Sequence, residues 1–299
     1  MSKTFVFYNP LAGGGSYESS LRALKAFITE EYVLCDMTKD DDYEKIISDM
    51  RSDDTLIVCG GDGTLNRFAN KVYGKKIEGD VLYFPCGSGN DFARELGKTQ
   101  ADGPFSVKKY IEKLPAVTVN GETVRFINGV GYGIDGYCCE VGDKLRAESD
   151  KPVDYTSIAI KGLLFHYKPT DAKVTVDGRT YEFKKVWIAP TMKGKHYGGG
   201  MTPAPLQDRT DAEGKLSVMI FHKSGKLKTL MIFPSLFKGE HVKHVKHVTV
   251  LEGKEITVEF AEPRTAQIDG ETLLNVSSYT ATANAVFENE DTLAKAAEV

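Results

Sequence analysis

Three glycines set around one aspartate carry the clearest chemical signal in this chain. They lie in Thr55-Leu-Ile-Val-Cys-Gly-Gly-Asp-Gly-Thr64, where an apolar strand-like run passes into an amphipathic helix pattern. Glycines at 60, 61 and 63 let backbone N–H groups approach an anion unobstructed, and the helix start adds a favourable dipole. The pattern reads as a phosphate site. A carboxylate beside phosphates is repelled unless a cation lies between them or a lysine neutralises it, so Asp62 implies Mg²⁺ or a basic partner. Gly-Asp-Gly also forms ordinary acidic turns, and placement alone leaves both readings open.

The elements that must hold these residues follow from periodicity. Phe5–Tyr8, Tyr32–Cys35, Leu56–Cys59 and Val81–Phe84 read as short strands. Between them Leu21, Leu24, Phe27 and Ile28 share one helical face. So do Tyr43, Ile46, Ile47 and Met50, behind the acidic start Asp40-Asp-Asp42, and then Leu65, Phe68, Ala69 and Val72. The fourth strand ends in Pro85-Cys-Gly-Ser-Gly-Asn-Asp91 and a short helix. Such alternation predicts a mostly parallel sheet with helices on both faces, in which ligands gather where strands end in loops. The glycine loops 13–15, 60–63 and 87–89 are expected to converge at one edge.

After Pro115 the texture changes. Val117-Thr-Val-Asn-Gly-Glu-Thr-Val-Arg-Phe126, Val174-Thr-Val-Asp-Gly-Arg-Thr-Tyr-Glu-Phe183 and Ala266-Gln-Ile-Asp-Gly-Glu-Thr-Leu273 are three similar segments. Asn-Gly or Asp-Gly between alternating residues signals a two-residue hairpin. The expectation is an α/β nucleotide-binding domain over residues 1–115 and an antiparallel β-sandwich domain over 116–299, with a helical stretch near 140–167. A polar or helical tail runs from Thr292, and the last ~20 residues are free to return to the first domain.

Composition narrows the function classes. A formal charge of −4 argues against nucleic-acid binding, so attraction to an anionic membrane must come from a local patch. There is no signal-peptide pattern and no apolar run long enough to cross a bilayer, which predicts a cytoplasmic location. Cys35, Cys59, Cys86, Cys138 and Cys139 form no Cys-x-x-Cys pair and read as reduced, mostly buried thiols.

Asn9-Pro-Leu-Ala-Gly-Gly-Gly15, Gly60-Gly-Asp-Gly-Thr64, Gly87-Ser-Gly-Asn-Asp91, Phe126-Ile-Asn128 with Gly131-Tyr-Gly-Ile-Asp135, Gly198-Gly-Gly-Met201 and Asp269-Gly-Glu271 occur in that order. In this combination the chain resembles the diacylglycerol kinase catalytic-domain family, which includes sphingosine and ceramide kinases and stand-alone bacterial lipid kinases. The resemblance implies an α/β nucleotide domain plus a β-sandwich, with ATP and Mg²⁺ as cofactors. It implies that Asn9, Gly61, Asp62, Gly63, Thr64 and Ser88 cradle ATP, and that Asn90 and Asp91 organise its phosphates. Asp62, Asp91 and Glu271 would serve the metal, and Asp269 would be the general base for a lipid hydroxyl. The acids around 62, 91 and 269 must then meet across an interdomain gap. Lys161 resembles a family lysine that neutralises the loop aspartate, although a solvated helix lysine reads equally well.

Frame alone does not single out Asp269, because Asp177-Gly178 and Asn120-Gly121 occupy the same hairpin position and are expected only to turn. Asn90-Asp91 could likewise simply cap a short helix. The chain departs from the family in two places. Ala116-Val-Thr-Val-Asn-Gly121 lacks the family's metal-associated acid near Thr118, and Thr210-Asp-Ala-Glu-Gly-Lys215 has Asp211 and Glu213 in place of the Asp-Asp-Gly that holds a second, structural metal in the family, so that metal is not expected here. Gly131-Tyr-Gly-Ile-Asp-Gly136 fits a dinucleotide fingerprint but lies outside the α/β region.

His241-Val-Lys-His-Val-Lys-His247 reads as an exposed basic strand or loop, its histidines too scattered for one metal. With the apolar residues of 227–237 just upstream, it suits either peripheral contact with the inner face of a membrane or a core helix. The expected activity is phosphorylation of a diacylglycerol-like or long-chain-base lipid. The alternatives are a small-molecule kinase of the NAD kinase type and a nucleotide- or lipid-binding protein without turnover. The former is disfavoured because the Asn-Glu element of that family occurs here only at Asn289-Glu290.

Overall fold

The computed structural model describes residues 2–10, 17–39, 43–149 and 153–283. The 13–15 loop, the acidic start at 40–42, Asn289-Glu290 and the tail from Thr292 lie outside the described residues. The chain divides into two compact units, Met1–Leu114 and Pro115–Val299.

In the first unit the order is β1 (Thr4–Tyr8), α1 (Tyr17–Leu24), β2 (Tyr32–Asp36), α2 (Tyr43–Asp49), β3 (Thr55–Gly60), α3 (Asp62–Val72), β4 (Asp80–Pro85), α4 (Asp91–Glu95), β5 (Phe105–Ser106) and α5 (Lys108–Ile111). The strands lie in the order β2-β1-β3-β4-β5. The first four pair in parallel and β5 closes the edge antiparallel to β4. This is the mostly parallel sheet the alternation predicts. The central strand β3 is buried from Leu56 to Gly60, as a strand covered on both faces must be.

Leu65, Phe68, Ala69 and Val72 all turn inward from α3, and Tyr43 and Ile47 do so from α2. The first helix is shorter than its apolar spacing suggests. It ends at Leu24, and the backbone tightens through Ala26 N–H to Ala23 O and Phe27 N–H to Leu24 O, the i→i−3 bonds by which helices terminate. Phe27 therefore lies beyond the helix, half exposed, with its ring 5.8 Å from that of Phe84.

The second unit runs β6 (Ala116–Val119), β7 (Glu122–Arg125), β8 (Gly129–Tyr132), α6 (Ile134–Glu148), α7 (Tyr155–Lys161), β9 (Thr170–Val176), β10 (Arg179–Val186), β11 (Thr191–Met192), β12 (Leu216–Phe221), α8 (Lys226–Ile232), β13 (Val248–Gly253), β14 (Glu255–Ile268) and β15 (Glu271–Thr282). All its pairings are antiparallel. The long strand β14 organises the sheet. Its first half pairs with β9 and its last residues with β8, while β15 lies along its other side. The register breaks between Glu259 and Ala266, and bulged strands bend there. The sheet can thus fold over a core containing Val117, Tyr132, Val174, Val218, Val258 and Tyr279, while a second cluster including Trp187, Met219, Phe221 and Leu236 joins it to the helices.

The three predicted hairpins are present, and their turn residues Asn120-Gly121, Asp177-Gly178 and Asp269-Gly270 all have positive φ. Two consecutive positive φ values define the turn whose twist matches antiparallel strands, and Asn-Gly and Asp-Gly adopt it at least cost.

The dinucleotide-like Gly131–Gly136 does sit at a strand-to-helix junction, from β8 into α6. However, β8 is antiparallel to both its neighbours, so no parallel βαβ unit forms. Gly136 is needed for packing, since a Cβ there would lie 2.0 Å from the Thr265 carbonyl oxygen. The histidine tract is not a strand. Glu240–Lys243 forms a 3₁₀ turn leading to β13, and His241 is fully buried with Nε2 3.0 Å from the Pro203 carbonyl oxygen. Among the described residues no helix is long and apolar enough to cross a membrane.

Candidate functional site

In the first unit the site is built from two adjacent strand ends. β3 and β4 run side by side, and Cys86 N–H continues their pairing by donating to Gly60 O at 2.9 Å. The loops beyond them meet backbone to backbone: a Cβ on Gly87 would lie 2.5 Å from the Gly61 Cα. Gly87 leaves no room for a side chain, and a Cβ at Gly61 would press on the Gly87 Cα at 3.0 Å.

Asp62 joins the loops. It is the first residue of α3, and its carboxylate accepts hydrogen bonds from the Asp91 and Phe92 N–H groups, both at 2.9 Å. The acid thus caps α4 from the neighbouring loop, meeting two of the amide donors that every helix start leaves without an internal partner. Asn90 precedes α4 but does not cap it. In the left-handed conformation (φ 50°), its side chain accepts from Gly87 N–H at 2.9 Å and donates to Gly87 O at 2.8 Å. Asp91 is buried, with Arg94 Nη1 3.6 Å from Oδ1.

Thr64 is buried directly beneath Gly60, whereas Gly63 and Ser88 are exposed and Asn9 is half-buried at the end of β1. The α3 start has at its N-cap Gly61, which brings no side chain of its own to cap it. Amides at such a start suit an anion. The glycines, Asp62, Thr64, Ser88, Asn90 and Asp91 therefore surround one pair of strand ends. Cys59 and Cys86 lie just below, their Sγ atoms 3.6 Å apart, and all five cysteines are free.

In the second unit, Asp269 is positioned by the β14–β15 turn and faces the loop between β7 and β8. Its carboxylate accepts from Ile127 N–H at 2.5 Å, Asn128 N–H at 2.9 Å and Gly129 N–H at 3.0 Å. Arg209 is buried on the same loop, donating to Ile127 O at 2.5 Å and to Asn128 Oδ1 at 2.8 Å. The segment 127–129 is thereby held through its amides by an acid and through its carbonyl and side chain by a guanidinium. Sequence reasoning did not find Arg209. It lies in a polar loop, and nothing near it in the chain marks it as buried.

Asp177 corrects the expectation that its hairpin frame merely turns, because its Oδ1 accepts from Lys254 and Glu255 N–H at 2.9 and 2.8 Å. Glu271 is exposed at the start of β15. Lys161 is exposed at the end of α7. Glu213 pairs with Lys215 at 2.6 Å, and Asp211 accepts from Glu213 and Lys215 N–H in a local turn. Among the described residues no three His, Cys, Asp or Glu side chains gather as a metal cage.

Asp135, quoted in the sequence only as part of a motif, is buried at the start of α6, where Tyr197 Oη donates to its Oδ2 at 3.0 Å. Burial pushes its carboxyl up to about 6. An acid raised in this way adds stability below its unfolded value, near 4, and that stability is lost as pH rises through 6. Asp135→Asn removes the titration. Relative to the wild type, the variant should gain up to about 3 kcal/mol between pH 4 and pH 7, measured by urea unfolding at both values. An equal difference at the two pH values would rule out a buried titrating acid.

Residues 3–119 match the family described as diacylglycerol kinase catalytic domain, and residues 128–286 that described as YegS C-terminal NAD kinase beta sandwich-like domain. The chain is similar to a diacylglycerol kinase of Bacillus subtilis (strain 168), at 24% identity over 283 residues, covering 91% of this chain and 90% of the relative. A diacylglycerol kinase of Mycobacterium tuberculosis is 26% identical over 213 residues, with coverage of 69% and 67%. A crystal structure of a diacylglycerol kinase from Bacillus anthracis superposes with a TM-score of 0.58 at 19% identity, covering 94% of each chain. Another structure from that organism gives 0.66 at 21% identity, covering 95% of each. At such identities the solved structures speak for the fold.

Proposed function

Since this chain belongs to the diacylglycerol kinase family, phosphotransferases with an alcohol acceptor, we propose that it is an ATP- and Mg²⁺-dependent lipid kinase acting on a hydroxyl of a diacylglycerol-like or long-chain-base lipid. The observation that carries this reading is the pair of glycine loops in backbone contact beside the start of α3.

The amides of Gly61, Asp62, Gly63 and Thr64 would bind the nucleotide's phosphates, with Ser88, Asn90 and Asn9 at their margin. Asp62, Asp91 and Glu271 offer hard oxygen donors, the type Mg²⁺ prefers. Because Mg²⁺ takes most of its ligands from phosphate and water, one or two carboxylates suffice. When bound, the metal offsets charge on the transferring phosphoryl group.

Asp269 would accept the lipid hydroxyl's proton. Three amide donors fix its orientation, and a loose phosphoryl-transfer transition state demands orientation more than strong basicity. Lys161, an exposed cation at the end of α7, would in this reading neutralise the loop aspartate. Glu213, engaged by Lys215, has no part in this reading.

Incubating the purified protein with labelled ATP, Mg²⁺ and a total lipid extract should label a lipid. Phosphate appearing only in water or in a soluble dinucleotide would remove the lipid reading.

A further inference from the structure

A substrate dissolved in a bilayer must be met at the bilayer surface, and the second unit carries a face with the composition for that contact. Phe165, Leu206, Leu227, Met231 and Val245 are each at least 67% exposed, more than any other large apolar side chain among the described residues. All five belong to segments packed on one helical tract. Leu227 and Met231 stand one turn apart on α8, and positions four apart share a helix face. Lys226 Nζ donates to Leu164 O at 2.6 Å, bringing the Phe165 turn against the start of α8.

At the other end, Thr202 N–H donates to Leu236 O at 2.8 Å, which sets the loop carrying Leu206 against the 3₁₀ turn that follows α8. The buried His241, held at Pro203 O, anchors the turn bearing Val245 to that same loop. Phe237, half exposed, lies between. Ile232, Phe233 and Leu236 of the same run are buried, so the tract has a core side and a separate apolar outer side.

Charge identifies what this outer side meets. Residues 223–247 carry Lys223, Lys226, Lys228, Lys238, Lys243 and Lys246 against a single acid, Glu240, a formal +5 within a chain whose total is −4. All six lysines are exposed, and Glu240 is already paired with Lys243 at 2.8 Å. Exposed apolar side chains accompanied along the same tract by exposed lysines suit the interface of an anionic bilayer, where the chains enter the acyl boundary and the ammonium groups stay among the headgroups. We infer that α8 and the turns bearing Phe165, Leu206 and Val245 form a membrane-docking face for anionic phospholipid. This deepens the lipid-kinase reading by supplying its route to substrate.

The test is co-sedimentation with phosphatidylglycerol and phosphatidylcholine vesicles. The wild type should partition to phosphatidylglycerol, bind phosphatidylcholine weakly and lose binding as salt is raised. The double variant Leu227→Glu/Met231→Glu, altered only at exposed positions and checked for folding by circular dichroism, should lose at least about tenfold in partitioning. Lys228→Glu/Lys238→Glu should abolish the preference for the anionic vesicles. Both variants should phosphorylate a short-chain lipid dissolved as monomers as fast as the wild type.

Equal partitioning of wild type and variants, or a wild type indifferent to vesicles, would overturn the proposal. So would concentration-dependent self-association that Leu227→Glu/Met231→Glu abolishes in a protein that binds no vesicles. Vesicle binding that follows these expectations in a protein that phosphorylates no lipid would uphold the docking face and refute the kinase reading separately.

Discussion

Asp269→Asn is expected to lower phosphoryl transfer by about 10²- to 10⁴-fold, the usual contribution of a positioned base, and also to weaken the fold. The second effect comes from the geometry. The wild-type carboxylate only accepts hydrogen bonds, and its two oxygens meet the Ile127, Asn128 and Gly129 amides. An asparagine presents one oxygen and one NH₂, so at least one N–H donor would face another donor. The loss should be about 1–3 kcal/mol.

Asp177→Ala separates the two effects. Asp177 occupies the same hairpin frame and holds the Lys254 and Glu255 amides through Oδ1 alone, so an asparagine could keep both bonds whereas alanine removes them. It should lose comparable stability and keep its turnover. Unfolding midpoints and kcat for both variants decide the matter. If the two lose activity in parallel, or if Asp269→Asn remains near wild-type turnover, Asp269 acts only as a clasp on the 127–129 loop.

The second large effect is expected at Gly87. A Cβ there would sit 2.5 Å from the main-chain Cα of Gly61, a contact that no side-chain rotation relieves. Gly87→Ala must push the two loops apart, at a cost of about 1–3 kcal/mol as for other overpacked sites. The separation would also disturb the Asn90 bonds to Gly87 and draw the Asp91 and Phe92 amides from Asp62. Misplacement on the order of 1 Å can cost about 10²-fold in rate.

Gly63→Ala is the informative contrast, since a Cβ at Gly63 meets nothing within 4 Å. It should leave the melting temperature unchanged or slightly raised, because Ala favours a helix over Gly. It should still weaken nucleotide binding if phosphates lie against the start of α3. Thermal melts with and without nucleotide distinguish the two variants. A Gly87→Ala protein as stable as the wild type would show that the loops are free to separate.

How much of this was legible in the chain varied with the distance over which each feature is decided. The strands ending at Tyr8, Cys59 and Phe84, the apolar face of α3 and the three hairpins were all readable. Each depends on side-chain periodicity or on turn chemistry within a few residues. The glycine loops were likewise visible as a phosphate pattern before any fold existed.

The hydrogen-bond partners of the acids were not legible. Asp62 was expected to need a cation or a lysine, and the two amides it also meets, from a loop about thirty positions away, left no mark in the local chain. Asp177, Asp269 and Asn120 look equivalent in sequence, yet Asp269 meets donors 142 positions distant, which only the closure of the sheet around β14 brings near. The burial of Asp135 and Arg209 has the same origin.

The run from Leu227 to Phe237 shows the division most plainly. Its residues determined that the segment is apolar and bordered by lysines. Packing against β12, the Phe165 turn and the 202–206 loop decided that Ile232 and Leu236 go inward while Leu227 and Met231 remain outside. Backbone propensity and turn type act between near neighbours and are therefore written in the local chain. Which side of an element is covered, and which donor reaches which carboxylate, depends on surfaces contributed by remote segments, and these exist only after the chain has folded.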